Sequence, residues 1–284
     1  PDAVKALAEF IMRGRWQAAI VACLGSFVPI VSPAAVGLVG LRHGVSAVAY
    51  VAPWALLPSL AMLASGGPDS LLTTASIAVV IAVVIAAEVL RRSASWASAA
   101  IAVTVAGLAA AIVLSAVGAA QLAATTALLA EMLAEVATEQ APLPIAATPL
   151  FVAGLFGWIV AVGALVALLV SRWWQALLYN PGGFGSEFRQ LRMSSASAIA
   201  LAVMVLAGWL QGADYRPWAE LLSLPLLLSG LALLHHIAAV RGLGTIWLGM
   251  IYVGLVIFSP LNMVIIGLAV ADSTINIRSR IAAR

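Results

Sequence analysis

The chain has 284 residues, 64% of them hydrophobic and only 9% charged, with a mean hydropathy of +1.12. A water-soluble domain carries about 25% charged residues, so this composition excludes one and points to an integral membrane protein. The lone cysteine, Cys23, excludes a disulfide framework or thiolate metal cluster, and the net charge of +3 matters less than where the charges sit.

No segment alternates polar and apolar residues with period two, which excludes a transmembrane β-barrel. Apolar runs such as 77–89 and 151–170 predict helices in lipid instead. The chain opens with Lys5, Arg13 and Arg15 and turns apolar at Trp16. No cleavage site or polar mature region follows, so a retained first helix is expected.

Helices are predicted over 16–31, 33–41, 45–64, 70–90, 96–118, 147–172, 195–211, 218–241, 244–258 and 261–277. The first pair is broken by Pro29 and Pro33 and the last by Pro260, because proline lacks an N–H and clashes with the preceding turn. Charge decides how to count them. With every segment taken as a separate pass, 13 of the 14 Lys and Arg residues fall on one side and only Arg216 on the other. Fusing either broken pair, or both, scatters the cations against the positive-inside bias. The expectation is therefore ten passes, both termini cytoplasmic, in a single membrane domain spanning 1–284.

Between the fifth and sixth segments, Leu122, Leu129, Leu133 and Val136 share one face while Glu131, Glu135 and Glu139 lie four apart on another. This predicts an outer amphipathic helix over 121–140. On the other side, 173–194 forms a cytoplasmic loop. In it Asn180, Pro181, Gly182 and Gly183 make a flexible turn, after which Phe184, Phe188 and Leu191 fall at i, i+4 and i+7 while Glu187, Arg189 and Arg192 face elsewhere. Such an interfacial helix either anchors to lipid headgroups, with Trp173, Trp174 and Tyr179 as an aromatic belt, or docks a membrane or cytoplasmic protein partner.

Two readings are open for the stretch VPIVSPAAVGLVGLRHGVSAVAYVAPWALLPSLAML at 28–63. Its prolines are either kinks absorbed by packing or the polar lining of a solute site, for which Pro29, Pro33, Trp54 and Pro58, with Asn262 from the last broken helix, are the candidates. Ala18 and Ala22, four apart, would let a partner helix approach closely, although alanine-rich chains produce that spacing by chance. Glu88 is placed to pair with Arg91 and Arg92. Asp272 heads an i, i+4, i+8 stripe with Asn276 and Arg280, and an ion pair with Arg278 is expected to lock the last helix. His235 and His236 point about 100° apart on a helix and so fit a polar cluster near Arg241 better than a shared metal.

The Arg42-His43-Gly44 turn after a proline-bearing short helix, the segment LLYNPGGFGSEFRQLR at 177–192 and the closing SPLNMVIIGLAVADSTINIRSR at 259–280 resemble the YybS-like family of bacterial membrane proteins. That family is grouped with the substrate-binding S-components of energy-coupling-factor transporters and with the rod-shape protein MreD. The resemblance implies an all-helical bundle in the bacterial inner membrane, with an S-component-like core of six helices, a short second helix and cytoplasmic termini. The additional segments here would then be insertions. It implies binding or transport of a small solute, with a non-transporting scaffold of an envelope-assembly complex as the alternative. A solute binder should hold a partly polar cavity beside 16–64, where a scaffold can be packed solid. No catalytic set, cofactor motif or nucleotide-binding motif stands in the sequence, and the arginines are too scattered for nucleic acid. The expected contacts are membrane lipids, a protein partner and a small-molecule solute, without enzymatic activity.

Overall fold

The computed structural model describes residues 2–28, 30–66, 70–136 and 147–282. Among these every regular element is helical: α1 (Asp2–Met12), α2 (Arg15–Leu24), α3 (Val31–His43), α4 (Val45–Ala64), α5 (Ser70–Ser93), α6 (Trp96–Val117), α7 (Ala119–Val136), α8 (Pro149–Tyr179), α9 (Gly183–Gln190), α10 (Ser195–Leu210), α11 (Arg216–Val240), α12 (Thr245–Ile257), α13 (Pro260–Ile275) and α14 (Ile277–Ala282). The protein is a polytopic helical bundle. Hydroxyl caps start three of the long helices: Ser98 N–H donates to Ser95 Oγ, Phe151 N–H to Thr148 Oγ1 and Ser197 N–H to Ser194 Oγ.

Five helices, α4, α5, α6, α8 and α11, are individually long and apolar enough to cross a membrane. A sixth span results if α9 and α10, bent by 73° at their junction, count as one. The ten-pass expectation is corrected here. At about 1.5 Å per residue, the 10 residues of α2 and 13 of α3 are too short to cross singly. They form a hairpin instead: Ser32 Oγ donates to the Ala22 carbonyl at 2.6 Å, and a cleft beside Arg15 and Ala18 is also lined by Val39 and His43. The break falls at 25–30, earlier than the sequence suggests, in a short 3-10 turn followed by Ile30 with φ 75°.

The second hairpin is α12–α13. Tyr252 of α12 meets His235 of α11 at 3.3 Å, Gly230 of α11 lies against the Ile265 backbone of α13, and Ser259 and Pro260 at the apex share a cavity with Ser223. Both hairpins leave and return at the same end. With α9–α10 counted as a sixth span, the number of crossings changes without changing which ends lie together, because a hairpin and two passes are equivalent in parity.

That end gathers the cations. Arg42 stacks on Tyr179 with 4.3 Å to the ring centroid, Arg91 abuts Gly44, Arg91 and Arg92 pair with Glu88, and Arg172 pairs with Glu187. At the opposite end Thr148 Oγ1 donates to Asp214 at 2.7 Å and Trp218 Nε1 to the Leu150 carbonyl at 3.0 Å. The amphipathic α7 closes this end with Leu122 buried and Leu129 packed on the core; the part of its predicted span beyond 136 lies outside the described residues. The acidic Glu131 and Glu135 are exposed, as a half-buried helix requires.

The main core lies among α5, α6, α8 and α11 and is built on Ala86, Ala87, Ala99, Val103, Val160 and Ala164. In lipid, apolar burial supplies little drive between helices, so close packing of small residues carries association. A Cβ on Gly157 would lie 2.7 Å from the Gly107 carbonyl oxygen, and one on Gly107 would lie 2.6 Å from the Gly157 carbonyl oxygen. The two backbones of α6 and α8 touch there, and no side chain fits between them.

Two measurements check this fold. Gly157→Leu should destabilise by about 1–3 kcal/mol, lowering the unfolding temperature in detergent; an unchanged profile would remove the close α6–α8 contact. In a Cys23→Ala background, Ser93→Cys and Gly182→Cys should react with an impermeant maleimide from one face of a sealed vesicle and Gly212→Cys from the other. Labelling of Ser93→Cys and Gly182→Cys from opposite faces would overturn the arrangement.

Candidate functional site

The prolines of the first hairpin do not form one lining. Pro33 sits in the first turn of α3, where a missing N–H costs nothing, and Pro58 is carried within α4. Trp54 packs with Trp16 at 6.0 Å, in a cluster that Tyr50 joins at 5.7 Å from Trp16. Pro29 lies outside the described residues. Asn262 is in a different cavity, beside α10 and α11. The four described residues expected to converge on a solute, Pro33, Trp54, Pro58 and Asn262, are thus spread over separate places. Beside 16–64 there are two clefts. One of about 410 Å³ between α2, α3 and α4 carries Arg15, His43 and Ser46, and one of about 250 Å³ at the hairpin apex is lined by Pro33, Ser32, Ser59 and Ser76. The apex hydroxyls of Ser32 and Ser76 are spent on the carbonyls of Ala22 and Leu72.

The larger space is at the second hairpin. A cavity of about 670 Å³ lies between α10, α11 and α13, walled by Ala202, Val205, Leu206, Trp209 and Ile266. Its polar groups are Glu220 and Ser223 of α11, and Ser259 and Asn262 at the start of α13. Pro260 explains why α13 begins there: it occupies the first helical turn and ends α12 before it. Leu261 N–H donates to the Phe258 carbonyl at 2.9 Å and Asn262 N–H to Ser259 at 3.1 Å, so the turn consumes the leading donors of the helix. Ser223 Oγ donates to the Glu220 carbonyl. The Glu220 carboxylate itself makes no hydrogen bond or ion pair among the described residues, and the Arg216 guanidinium lies over the Trp209 ring at 5.5 Å. The sequence places Glu220 near the outer end of the helix predicted over 218–241, four residues after Arg216, and α11 carries it there.

The basic end is a structural knot. Phe184 and Phe188 of α9 turn inward, with Phe184 6.2 Å from Trp96 and Phe188 5.3 Å edge-on to His235. Glu187 accepts from Trp96 Nε1 at 2.8 Å and from Arg172 Nε at 3.2 Å. The apolar face of α9 is therefore partly covered by the chain's own α6, α8 and α11, with Phe184 and Phe188 half-buried and also lining a cleft beside Trp173 and Tyr252. Gly182 takes φ 82° and Gly183 N–H bonds the Asn180 carbonyl, which turns the chain from α8 into α9. Trp174 is likewise buried, against α1, α3 and α4, and leaves the expected interfacial belt because α8 continues to Tyr179. The Ala18–Ala22 face is occupied too, since both side chains are buried against α3 and α4. His235 bonds the Leu231 carbonyl and Tyr252, while His236 Nε2 is buried without a partner among the described residues.

The Asp272–Arg278 pair is present. Arg278 Nε donates to Asp272 Oδ2 at 2.8 Å and its backbone N–H to Oδ1 at 3.2 Å. Its two terminal nitrogens donate to the Arg189 carbonyl at 2.5 Å and the Leu191 carbonyl at 2.6 Å. Burial draws the Arg278 pKa below its ordinary value, and the Asp272 charge opposes that. Arg192 Nη2 and Ser195 Oγ donate to the Ser273 carbonyl, which completes the lock between α9–α10 and α13–α14. The proposed stripe to Arg280 does not form, because Asn276 adopts φ 52° and ends α13.

Among the described residues, no three of His, Cys, Asp and Glu converge to hold a metal. Comparison with models of known protein families, with curated proteins and with solved structures finds no match.

Removing one partner of a buried pair leaves the other uncompensated and costs about 3–5 kcal/mol. Asp272→Ala and Arg278→Ala should each lower the unfolding temperature strongly, and the double variant should be far from additive. Additive losses in thermal unfolding would mean that the two side chains act separately.

Proposed function

We propose that the protein is a small-solute-binding subunit of a bacterial inner-membrane transporter, S-component-like in its core, with the cation-rich end and both termini facing the cytoplasm. The observation that carries this reading is the cavity of about 670 Å³ holding Glu220, Ser223, Ser259 and Asn262 between α10, α11 and α13. Pockets of roughly 300–1,000 Å³ that are mostly apolar with a few convergent polar groups are the usual form of small-molecule sites. Helices that begin at a proline break beside a cavity, as α13 does, are a recurrent way for transporters to bring backbone and polar side chains to a solute. The positive-inside bias supports the orientation, and five or six long helices with short proline-divided ones are compatible with a six-helix core plus additions. The kinship to the YybS-like family is part of the same proposal.

This reading predicts a bound small molecule. Native mass spectrometry of protein released from detergent should show a discrete added mass in the wild type. That mass should be lost in Ala202→Phe, which fills the cavity wall, while the unfolding temperature stays within a few degrees. An empty wild type would favour a packed scaffold instead, and a mass retained in Ala202→Phe would remove this cavity as the binding site.

A further inference from the structure

The cavity between α10, α11 and α13 offers a ligand one unsatisfied charge. Glu220 lines it, has no hydrogen-bond or ion-pair partner among the described residues, and belongs to a helix otherwise apolar from Pro217 to Leu234 apart from Ser223 and Ser229. An anion in such a place persists only if it takes up a proton or meets a cation. The cation that the chain itself could supply, Arg216, is turned onto the Trp209 ring. The start of α13 would attract an anionic ligand, but its leading N–H groups already donate to Phe258 and Ser259, and Pro260 has none. The remaining polar lining, Asn262, Ser223 and Ser259, hydrogen-bonds any solute, whereas the wall of Ala202, Val205, Leu206, Leu210, Met263 and Ile266 demands an apolar body. Leu206, Leu210 and Met263 are also exposed on the outside of the bundle, so the cavity borders the surface that faces lipid.

We infer that this cavity takes an amphiphilic amine, its protonated nitrogen on the Glu220 carboxylate and its apolar part against α10 and α13. The inference rests on the solute-binding reading and adds the charge of the ligand. An ammonium ion contributes both the countercharge and donors to the carboxylate, a charge-assisted contact that strengthens away from water. The Asn262 amide and the Ser259 hydroxyl are available to the nitrogen's other hydrogens or to a polar substituent.

The test uses the full chain in nanodiscs, with empty nanodiscs as control, and three fluorescent probes. These are dansylcadaverine, which ends in a protonated amine, its N-acetylated neutral counterpart, and a dansyl alkyl chain ending in a carboxylate. The wild type should bind the amine at least about tenfold more tightly than either counterpart, a difference of about 1.4 kcal/mol. Glu220→Gln should lose that preference while keeping its affinity for the neutral probe, and Glu220→Asp, which keeps the charge, should retain it. A preference that survives Glu220→Gln, or tighter binding of the carboxylate, overturns the inference. Equal binding of all three probes, abolished by Ala202→Phe, also overturns it but leaves the solute-binding reading standing. Absence of binding by every probe overturns it as well, and together with a wild type empty by mass spectrometry removes both.

Discussion

A backbone N–H or C=O inside a bilayer finds no water, so a helix that stops there must stop against the rest of the protein. This constraint shapes the molecule. The chain contains two pairs of helices too short to cross, α2–α3 and α12–α13, and each is folded into a hairpin with a cavity beside its apex, although Phe27, Val28, Val256, Ile257 and Phe258 at the two apices are themselves exposed. At the first apex the Ser32 hydroxyl reaches the Ala22 carbonyl; at the second, the turn 258–262 bonds to itself. The cavities sit at these apices because a helix that ends early leaves space beyond its end.

The long helices hold that arrangement by proximity. Alanine and glycine line the contacts of α5, α6 and α8, and the Gly107–Gly157 approach brings two backbones into touch. Polar contacts are concentrated at the basic end, where Glu187, Asp272 and the arginines tie α6, α8, α9, α13 and α14 together. Stability and candidate chemistry are therefore separated in space. The saturated ion pairs are at one end, and Glu220, the carboxylate left over, lies toward the other.

Much of the architecture was legible in the sequence. All ten apolar segments are helices, the cations gather at one end, and the Glu88, Asp272 and Arg278 pairings form. What the sequence could not give was the number of crossings, because a re-entrant hairpin and two short passes produce the same charge pattern. It also misjudged amphipathic faces. Phe184, Phe188, Ala18 and Ala22 are apolar faces that meet this chain itself, and periodicity says which side of a helix is buried without saying by what. The N-terminal α1 was passed over, although Val4, Leu7, Ala8 and Ile11 recur at helical spacing opposite Lys5 and Glu9, and Ala8 and Ile11 are buried. The prolines mark the breaks, with clefts beside the first hairpin, while the larger cavity lies at the second break beside Glu220, which the apolar run 217–240 carries.

The Arg278 lock has a temporal side. Its acceptors on Arg189 and Leu191 precede it by 89 and 87 residues. During synthesis the bend between α9 and α10 must wait, its carbonyls unclaimed, until nearly a third of the chain has been inserted behind it. Long-range closure of this kind makes assembly slow relative to helix formation.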